Sequence, residues 1–393
     1  MTIDTSPLRS PQTEFTGPPR DWYFGEEWFR RDIEAVFRPR WQVAAHAEQL
    51  PEPGDFRTYA IGDHQCVIVR DRDGRIAAYQ NVCSHRGAQL CTAPSGTLPG
   101  RRAIVCGYHG WTFSPTDGAV QGAPAMHEDF DRSAWGLQPV HVDEWLGLIL
   151  VCFDDDPPPT MAEQLGVNDF NGYLPDGIRL AEARTFRFEA NWKIIAENNN
   201  ECYHCAMNHP ELTSSIDWRS MELHGDFEEY VGGRAAATDA RHSPSIGEAT
   251  LTIGNGSVCA VPLPQTDPSP DAEKKTWGAS WEPGCGVRLS YEHGFVQIVR
   301  PTGPATTEVD TYWLVAKDAV EGRDYDLAEF TELWDATVQQ DRDLCEMVQR
   351  GMQNPAYRPG PLNRRHQASN AGFLSWYETQ IAARFPEVFA ELA

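Results

Sequence analysis

Two short ligand motifs constrain this chain more than any other feature. They are Cys83-Ser84-His85-Arg86-Gly87 and Cys106-Gly107-Tyr108-His109-Gly110-Trp111. Each is a Cys–His pair on a glycine-containing loop, and 20 residues separate His85 from Cys106. Around them the pattern is that of short strands. Phe56–Ile61, Cys66–Arg70, Ile76–Gln80, Ala103–Cys106 and Gly147–Phe153 are alternating or wholly apolar runs, separated by Pro-Gly, Gly-Asp and Asp-Gly turns. The segment reads as a small all-β domain, with Thr92–Gly100 as a surface insertion between the two motifs.

Two thiolates and two imidazoles suit two kinds of centre. In a Rieske [2Fe–2S] cluster, two Cys hold one iron and two His hold the other, and the neutral His ligands raise the potential. A Cys2His2 zinc site takes the same ligands. The order here alternates, C-x-H then C-x2-H, whereas zinc fingers pair Cys with Cys and His with His. The alternation favours the cluster. The glycines let the backbone turn tightly around it.

The rest of the chain divides around this domain. Residues 1–20 are rich in Ser, Thr and Pro and read as a mobile arm. Trp22 to Phe37 has helical periodicity, with Trp28, Phe29, Ile33, Val36 and Phe37 on one side. Asp154-Asp155-Asp156-Pro157-Pro158-Pro159 reads as a linker. The expected division is a β domain at 41–155, a second domain at 156–393, and an arm and helix at 1–40 packing on that second domain. In the second domain, 181–192 reads as a strand and Trp192 to His209 as a helix. Strands follow at Ala249–Ile253, Val287–Ser290, Gly294–Val299 and Glu308–Val315. A long helix is expected over Leu327–Met352 and a last one from near Gly372.

This second domain carries its own ligand set. His204 and His209 are five residues apart, about 140° on a straight helix, which is poor for a shared metal. Pro210 disfavours helical geometry at His209, so the helix is expected to distort there and let His209 swing toward the metal His204 faces. Two His and one carboxylate make the facial triad of a non-haem iron site. Asp341 is the expected carboxylate. It lies on the apolar stripe of the long helix, through Phe330, Leu333, Trp334, Val338, Leu344, Cys345 and Val348, while Asp343 is turned about 200° away. A carboxylate on a buried face must be paired or metal-bound. By itself Asp341 also fits a buried ion pair.

Composition narrows the partners. The formal net charge of −24 argues against nucleic acid and anionic membranes. The longest apolar run, Trp145 to Phe153, is too short to span a bilayer. The N-terminus lacks a signal-peptide apolar core, so a cytoplasmic location is expected. The ten cysteines are then expected as thiols or metal ligands rather than disulfides. No GxGxxG or Walker A pattern is present, so no nucleotide or flavin site is indicated.

In order along the chain, the Cys83–His85/Cys106–His109 pair, Glu201-x2-His204-x4-His209-Pro210 and Gln340-Asp341-Arg342-Asp343-Leu344-Cys345 resemble the alpha subunits of Rieske ring-hydroxylating oxygenases. The resemblance runs from about Trp22 to about Phe385. It implies an α+β chain: an N-terminal all-β Rieske domain and a C-terminal helix-grip domain, an antiparallel sheet with helices. It implies a [2Fe–2S] cluster on Cys83, His85, Cys106 and His109, and a mononuclear Fe(II) on His204, His209 and Asp341. Dioxygen is the implied cosubstrate. Electrons from NAD(P)H are implied to arrive through a separate flavin or iron–sulfur reductase, with or without a ferredoxin. A homotrimer is implied, in which Glu201 links His204 to His109 of the neighbouring subunit. Asn198 is placed to shape the iron site.

Most of the family carries Asp where this chain has Glu201. Glu resembles the subgroup acting on quaternary ammonium compounds, and Glu197-Asn198-Asn199-x-Glu201-Cys202-Tyr203-His204-Cys205 looks most like glycine betaine monooxygenases. A methylammonium group binds well in an aromatic cage, for which Trp218, Trp277, Trp281, Tyr291 and Phe295 are the candidates. An aromatic or natural-product ring would want a similar lining. The rival readings are a Rieske electron carrier, which would leave the residues beyond Asp156 without a purpose, and a zinc-binding protein.

Overall fold

The computed structural model describes residues 14–165, 172–236, 240–242, 250–266 and 276–390. The chain forms two compact units. Phe37–Met161 make one; the described chain on either side of it makes the other. These boundaries lie a few residues from those expected. The reason at the second is that the proline-rich linker is tied down: Arg38 pairs with Asp154 at 3.5 Å, and Trp41 Nε1 donates to the Pro159 carbonyl at 2.9 Å.

The first unit contains β1 (Gln42–His46), β2 (Asp55–Ile61), β3 (His64–Arg70), β4 (Ile76–Gln80), β5 (Ser95–Thr97), β6 (Ile104–Val105), β7 (Thr112–Phe113), β8 (Val120–Gly122), β9 (Pro139–Trp145) and β10 (Leu148–Cys152). Seven strands make one sheet in the order β1-β10-β9-β4-β3-β2-β5, and β6-β7-β8 make a second. Every residue of β10 is buried, which is why Leu148 to Cys152 reads as an unbroken apolar run. The insertion after Cys91 is not wholly irregular, since β5 pairs with the edge of β2.

The second unit begins before the first. The arm is anchored over its described part: Phe15 is fully buried against the Phe227 ring, and its carbonyl accepts from the Leu362 amide at 2.9 Å. Residues 1–13 of the expected mobile arm lie outside the described residues. Helix α1 (Glu26–Asp32) continues through a wider turn at Ile33–Phe37. After the first unit come α2 (Met161–Leu165), β11 (Ile178–Phe188), α3 (Trp192–Asn199), α4 (Cys205–Asn208), α5 (Pro210–Thr213), α6 (Phe227–Ala236) and β12 (Ala240–His242). Then follow β13 (Trp277–Trp281), β14 (Cys285–Leu289), β15 (Gly294–Gly303), β16 (Thr306–Ala316), α7 (Leu327–Met352) and α8 (Ala368–Arg384). The sheet is antiparallel, in the order β11-β16-β15-β14-β13-β12. Helix α7 packs on β11 and α3, and α3 packs on β15.

Three expectations fail here. The strand expected at Ala249–Ile253 is absent over its described part: Leu251 and Asn255 have positive φ, and Ile253–Asn255 is a single helical turn. The helix expected from Trp192 to His209 is broken. Helix α3 ends at Asn199, because the Glu201 carboxylate takes the Tyr203 and His204 amides and so competes with a continued helix. Val348, expected on the buried stripe of α7, is 44% exposed, and Gln349 is buried instead. A straight helix drifts about 20° per seven residues, so a stripe extrapolated by sevens from Trp334 has left the core by its second step, at Val348.

Candidate metal centres

The two Cys–His loops of the first unit repeat one conformation. The Cys83 amide donates to the Ala88 carbonyl at 2.8 Å and the Gly87 amide to the Cys83 carbonyl at 2.9 Å. In the second loop Cys106 donates to Trp111 at 2.8 Å and Gly110 to Cys106 at 3.1 Å. Gly87 and Gly110 occupy the same place in the two loops, at φ +72° and +71°, a conformation glycine adopts at little cost. The thiols of Cys83 and Cys106 are buried and unbonded, and they rest on a core of Phe56, Tyr79, Leu90, Trp111 and Phe113. Burial, together with the neighbouring Cys106 thiol, holds the Cys83 thiol above its ordinary range. The imidazoles of His85 and His109 lie with centroids 4.7 Å apart, His109 at the surface. Paired inner thiols and paired outer imidazoles on matching loops fit a cluster with Cys on one iron and His on the other.

The second centre gathers three elements. His204 precedes α4. His209 stands between α4 and α5 at φ −121°, ψ 73°, outside helical geometry as the following Pro210 requires. Asp341 comes from α7. His204 Nε2 and His209 Nε2 are 3.0 Å apart, and Asp341 Oδ1 lies 3.3 Å from the first and 3.0 Å from the second. A metal bound at about 2.1 Å places neighbouring donors at right angles about 3 Å apart, so the triangle fits one face of an octahedron. Each imidazole is oriented through its other nitrogen, as metal-binding histidines are. His204 Nδ1 faces Glu201 Oε1 at 2.9 Å, and His209 Nδ1 faces Gln340 Oε1 at 2.8 Å. Gln340 Nε2 in turn donates to Glu211 at 2.7 Å.

The carboxylates favour positive charge at this cluster. Burial opposes charge on His204, but Asp341 and Glu201 outweigh it and raise its pKa to about 9. His209 is raised in the same way, and both imidazoles hold Asp341 below the ordinary carboxylate range despite its burial. Asn198 Nδ2 is 3.3 Å from His204 Nε2, and its Oδ1 is buried with no hydrogen-bond partner among the described residues. Cys205 Sγ also lies near the two histidines, but it is bonded to Cys202. That disulfide corrects the expectation that every cysteine is a thiol or a ligand. The break after α3 brings Cys202 and Cys205 to a Cα separation of 4.9 Å, within bonding range.

Residues 175–383 match the ring hydroxylating alpha subunit (catalytic domain) family, and residues 40–144 match the Rieske [2Fe-2S] domain. This chain belongs to the Rieske ring-hydroxylating oxygenase alpha subunits. Its cofactors are therefore a Rieske cluster and a mononuclear iron. The oxygenase is 32% identical to the glycine betaine monooxygenase oxygenase subunit of Pseudomonas aeruginosa, over 98% of this chain and 93% of that one. It is 24% identical to the chloroplastic choline monooxygenase of Spinacia oleracea, over 92% and 76%. Its fold matches the crystal structure of the quaternary ammonium Rieske monooxygenase CntA with a TM-score of 0.72, covering 96% of this chain and 99% of that one at 22% identity.

Beside its second centre the oxygenase has a cavity of about 210 Å³, lined by Asn198, Glu201, His204, His209 and Asp341 at one end. Strand register shows how the sheet floors it. Ser280 pairs with Gly286, Gly286 with Gln297 and Arg288 with Phe295, so these five side chains or bare glycines share one face. Helix α7 covers that face, with Trp334 stacked on Phe295 at 4.4 Å and 3°. Of the expected aromatic candidates, Trp281 and Phe295 line the cavity. Trp277 does not: it pairs with Leu289 and so points to the opposite face from Arg288. Nor do Trp218, which packs against the His366 ring, or Tyr291, which lies in the β14–β15 turn. Trp334, Arg288 and Gln340 were missed. Trp334 was legible only as a core residue of the stripe, and no periodic signal marks Arg288 or Gln340.

Proposed function

We propose that this oxygenase removes an N-methyl group from a quaternary ammonium substrate by dioxygen-dependent hydroxylation, using electrons from a separate reductase. The observation that carries this reading is the cavity wall: Trp281, Phe295 and Trp334 beside the carboxylates of Glu201, Glu282 and Asp341. A methylated ammonium ion is stabilised by aromatic faces and by negative charge. A neutral arene would gain only the aromatic contacts and nothing from the negative charge. The relatives named above for glycine betaine and choline support the same substrate class.

The chemistry supplied by the bound groups is one-electron transfer at the cluster and dioxygen activation at the iron. The residues do the positioning. Cys83, His85, Cys106 and His109 hold the cluster, and His204, His209 and Asp341 hold the iron. Glu201 accepts the Nδ1–H of His204, fixing which nitrogen faces the metal, and in a head-to-tail homotrimer it provides the link to His109 of a neighbour. Asn198 stands beside His204 Nε2 and limits what else can approach. Hydroxylation of an N-methyl carbon consumes one dioxygen, two electrons and two protons and yields water; the resulting carbinolamine releases formaldehyde.

The test is oxygen uptake and formaldehyde release by the reconstituted holoenzyme with a surrogate reductase, against a panel of methylammonium compounds and arenes. Formaldehyde in step with oxygen uptake for a methylammonium compound is expected. Hydroxylated arene with no formaldehyde from any amine would refute the proposal.

A further inference from the structure

The described lining of the cavity contains one lysine or arginine, Arg288. We propose that Arg288 binds a carboxylate of the substrate, so that the site selects betaines, which carry a carboxylate and an ammonium in one molecule, over methylammonium alcohols. The inference rests on the substrate reading above and adds the second charge.

Three observations support it. The first is placement. Arg288 pairs directly with Phe295 across the β14–β15 ladder and shares its face. Phe295 stacks on Trp334, which is seven residues before Asp341 on α7, about 10 Å along the helix. The positive group thus belongs to the end of the cavity away from the metal ligands, while Glu201 and Asp341 lie at the other. A molecule with a cation near the iron and an anion beyond the aromatic wall matches this polarity.

The second is the room made for it. Gly278 is the cross-strand partner of Arg288. A Cβ at 278 would stand 2.6 Å from Arg288 Nη1 and 2.9 Å from its Cδ. Glycine inside a strand weakens it and marks a close approach. Here the approaching group is the arginine side chain, which lies across the bare position.

The third is donor chemistry. Arg288 Nη1 donates to the Val287 carbonyl at 3.3 Å, a bond that steadies the head group on its own strand. A guanidinium has five N–H donors in a planar fork, which matches a carboxylate. An ether or alcohol cannot use the charge.

The experiment is ligand binding to the full-length holoenzyme under anaerobic conditions, followed by calorimetry. The probes are glycine betaine and γ-butyrobetaine, with choline as the alcohol of the same length as glycine betaine. Wild type should bind at least one carboxylate about ten- to a hundred-fold more tightly than choline, the range of a charge-assisted hydrogen-bonded pair. Arg288→Gln should abolish that preference by weakening the betaine and not choline. Arg288→Lys should keep part of it. Gly278→Ala, which keeps the arginine but displaces its side chain, should give an intermediate loss. An unchanged betaine affinity in Arg288→Gln, or choline bound as tightly as betaines by wild type, would overturn the role of Arg288 alone. Binding of none of the three by wild type would overturn the substrate reading and this inference with it.

Discussion

Asp341 and Asp343 stand two residues apart on α7, and their surroundings assign them different jobs. The Asp341 side chain is 13% exposed and lies 3.0–3.3 Å from both imidazoles; that of Asp343 is 75% exposed and 3.5 Å from Arg342. In the proposed triad, removing Asp341 leaves two histidines with no carboxylate. Asp341→Ala is expected to lose mononuclear iron and all turnover while keeping the colour of the cluster, which belongs to the other unit. Asp343→Ala is expected to keep both metals and activity within about two-fold, as exposed ion pairs contribute little. Iron analysis of the two purified variants checks this. An iron-free, inactive Asp343→Ala would reverse the assignment. Glu201 also touches His204, but at Nδ1, the nitrogen turned away from Asp341. That contact fits the positioning role proposed for it.

Between elements, the support of the site is a buried polar network. Asp32 of α1 pairs with Lys193 of α3, and both side chains are fully buried. Trp192 Nε1 and the Tyr377 hydroxyl of α8 donate to the same carboxylate at 2.9 and 2.5 Å. One turn along α3, the Tyr23 hydroxyl donates to Glu197 at 2.6 Å, next to Asn198 of the iron site. Enclosure by protein lifts the Glu197 carboxyl from about 4.5 to about 7, although Tyr23 and Lys193 pull the other way. The folded chain thus keeps a proton that the unfolded chain has released. Between pH 4.5 and 7 this costs stability as the pH rises, and above 7 the cost is constant. Glu197→Gln keeps the acceptor for Tyr23 and has no proton to lose. Its urea midpoint relative to wild type is expected to climb from pH 5 to pH 7 and then level off. A difference independent of pH would contradict the assigned cause.

The elements also show what sequence reasoning reaches. The extent of helix α7 was legible from its apolar spacing, and the structure adds that Asp326 caps it. The same spacing placed Asp341 inward. The break after Asn199 was not legible, since it depends on one carboxylate turning back onto two amides, which no periodicity records. The candidate metal ligands could be picked out because their residue types and spacing carry the chemistry. Most of the cavity wall could not, because facing across a sheet depends on strand register, and register sends Trp277 and Arg288 to opposite sides.

At the scale of the molecule, the two candidate ligand sets belong to separate units of the chain. Among the described residues no helix is long and apolar enough to cross a membrane. The proposed reaction joins the two centres: an electron stored at the cluster is spent on an N-methyl carbon. Single turnover tests that claim without a reductase. The holoenzyme is reduced chemically at its cluster, freed of reductant, and mixed with dioxygen and glycine betaine or γ-butyrobetaine. Cluster absorption is expected to return as formaldehyde forms, with both rates falling sharply in Glu201→Gln although its metals are retained. Cluster reoxidation that yields no formaldehyde from any methylammonium compound, while an added arene is hydroxylated, would contradict it.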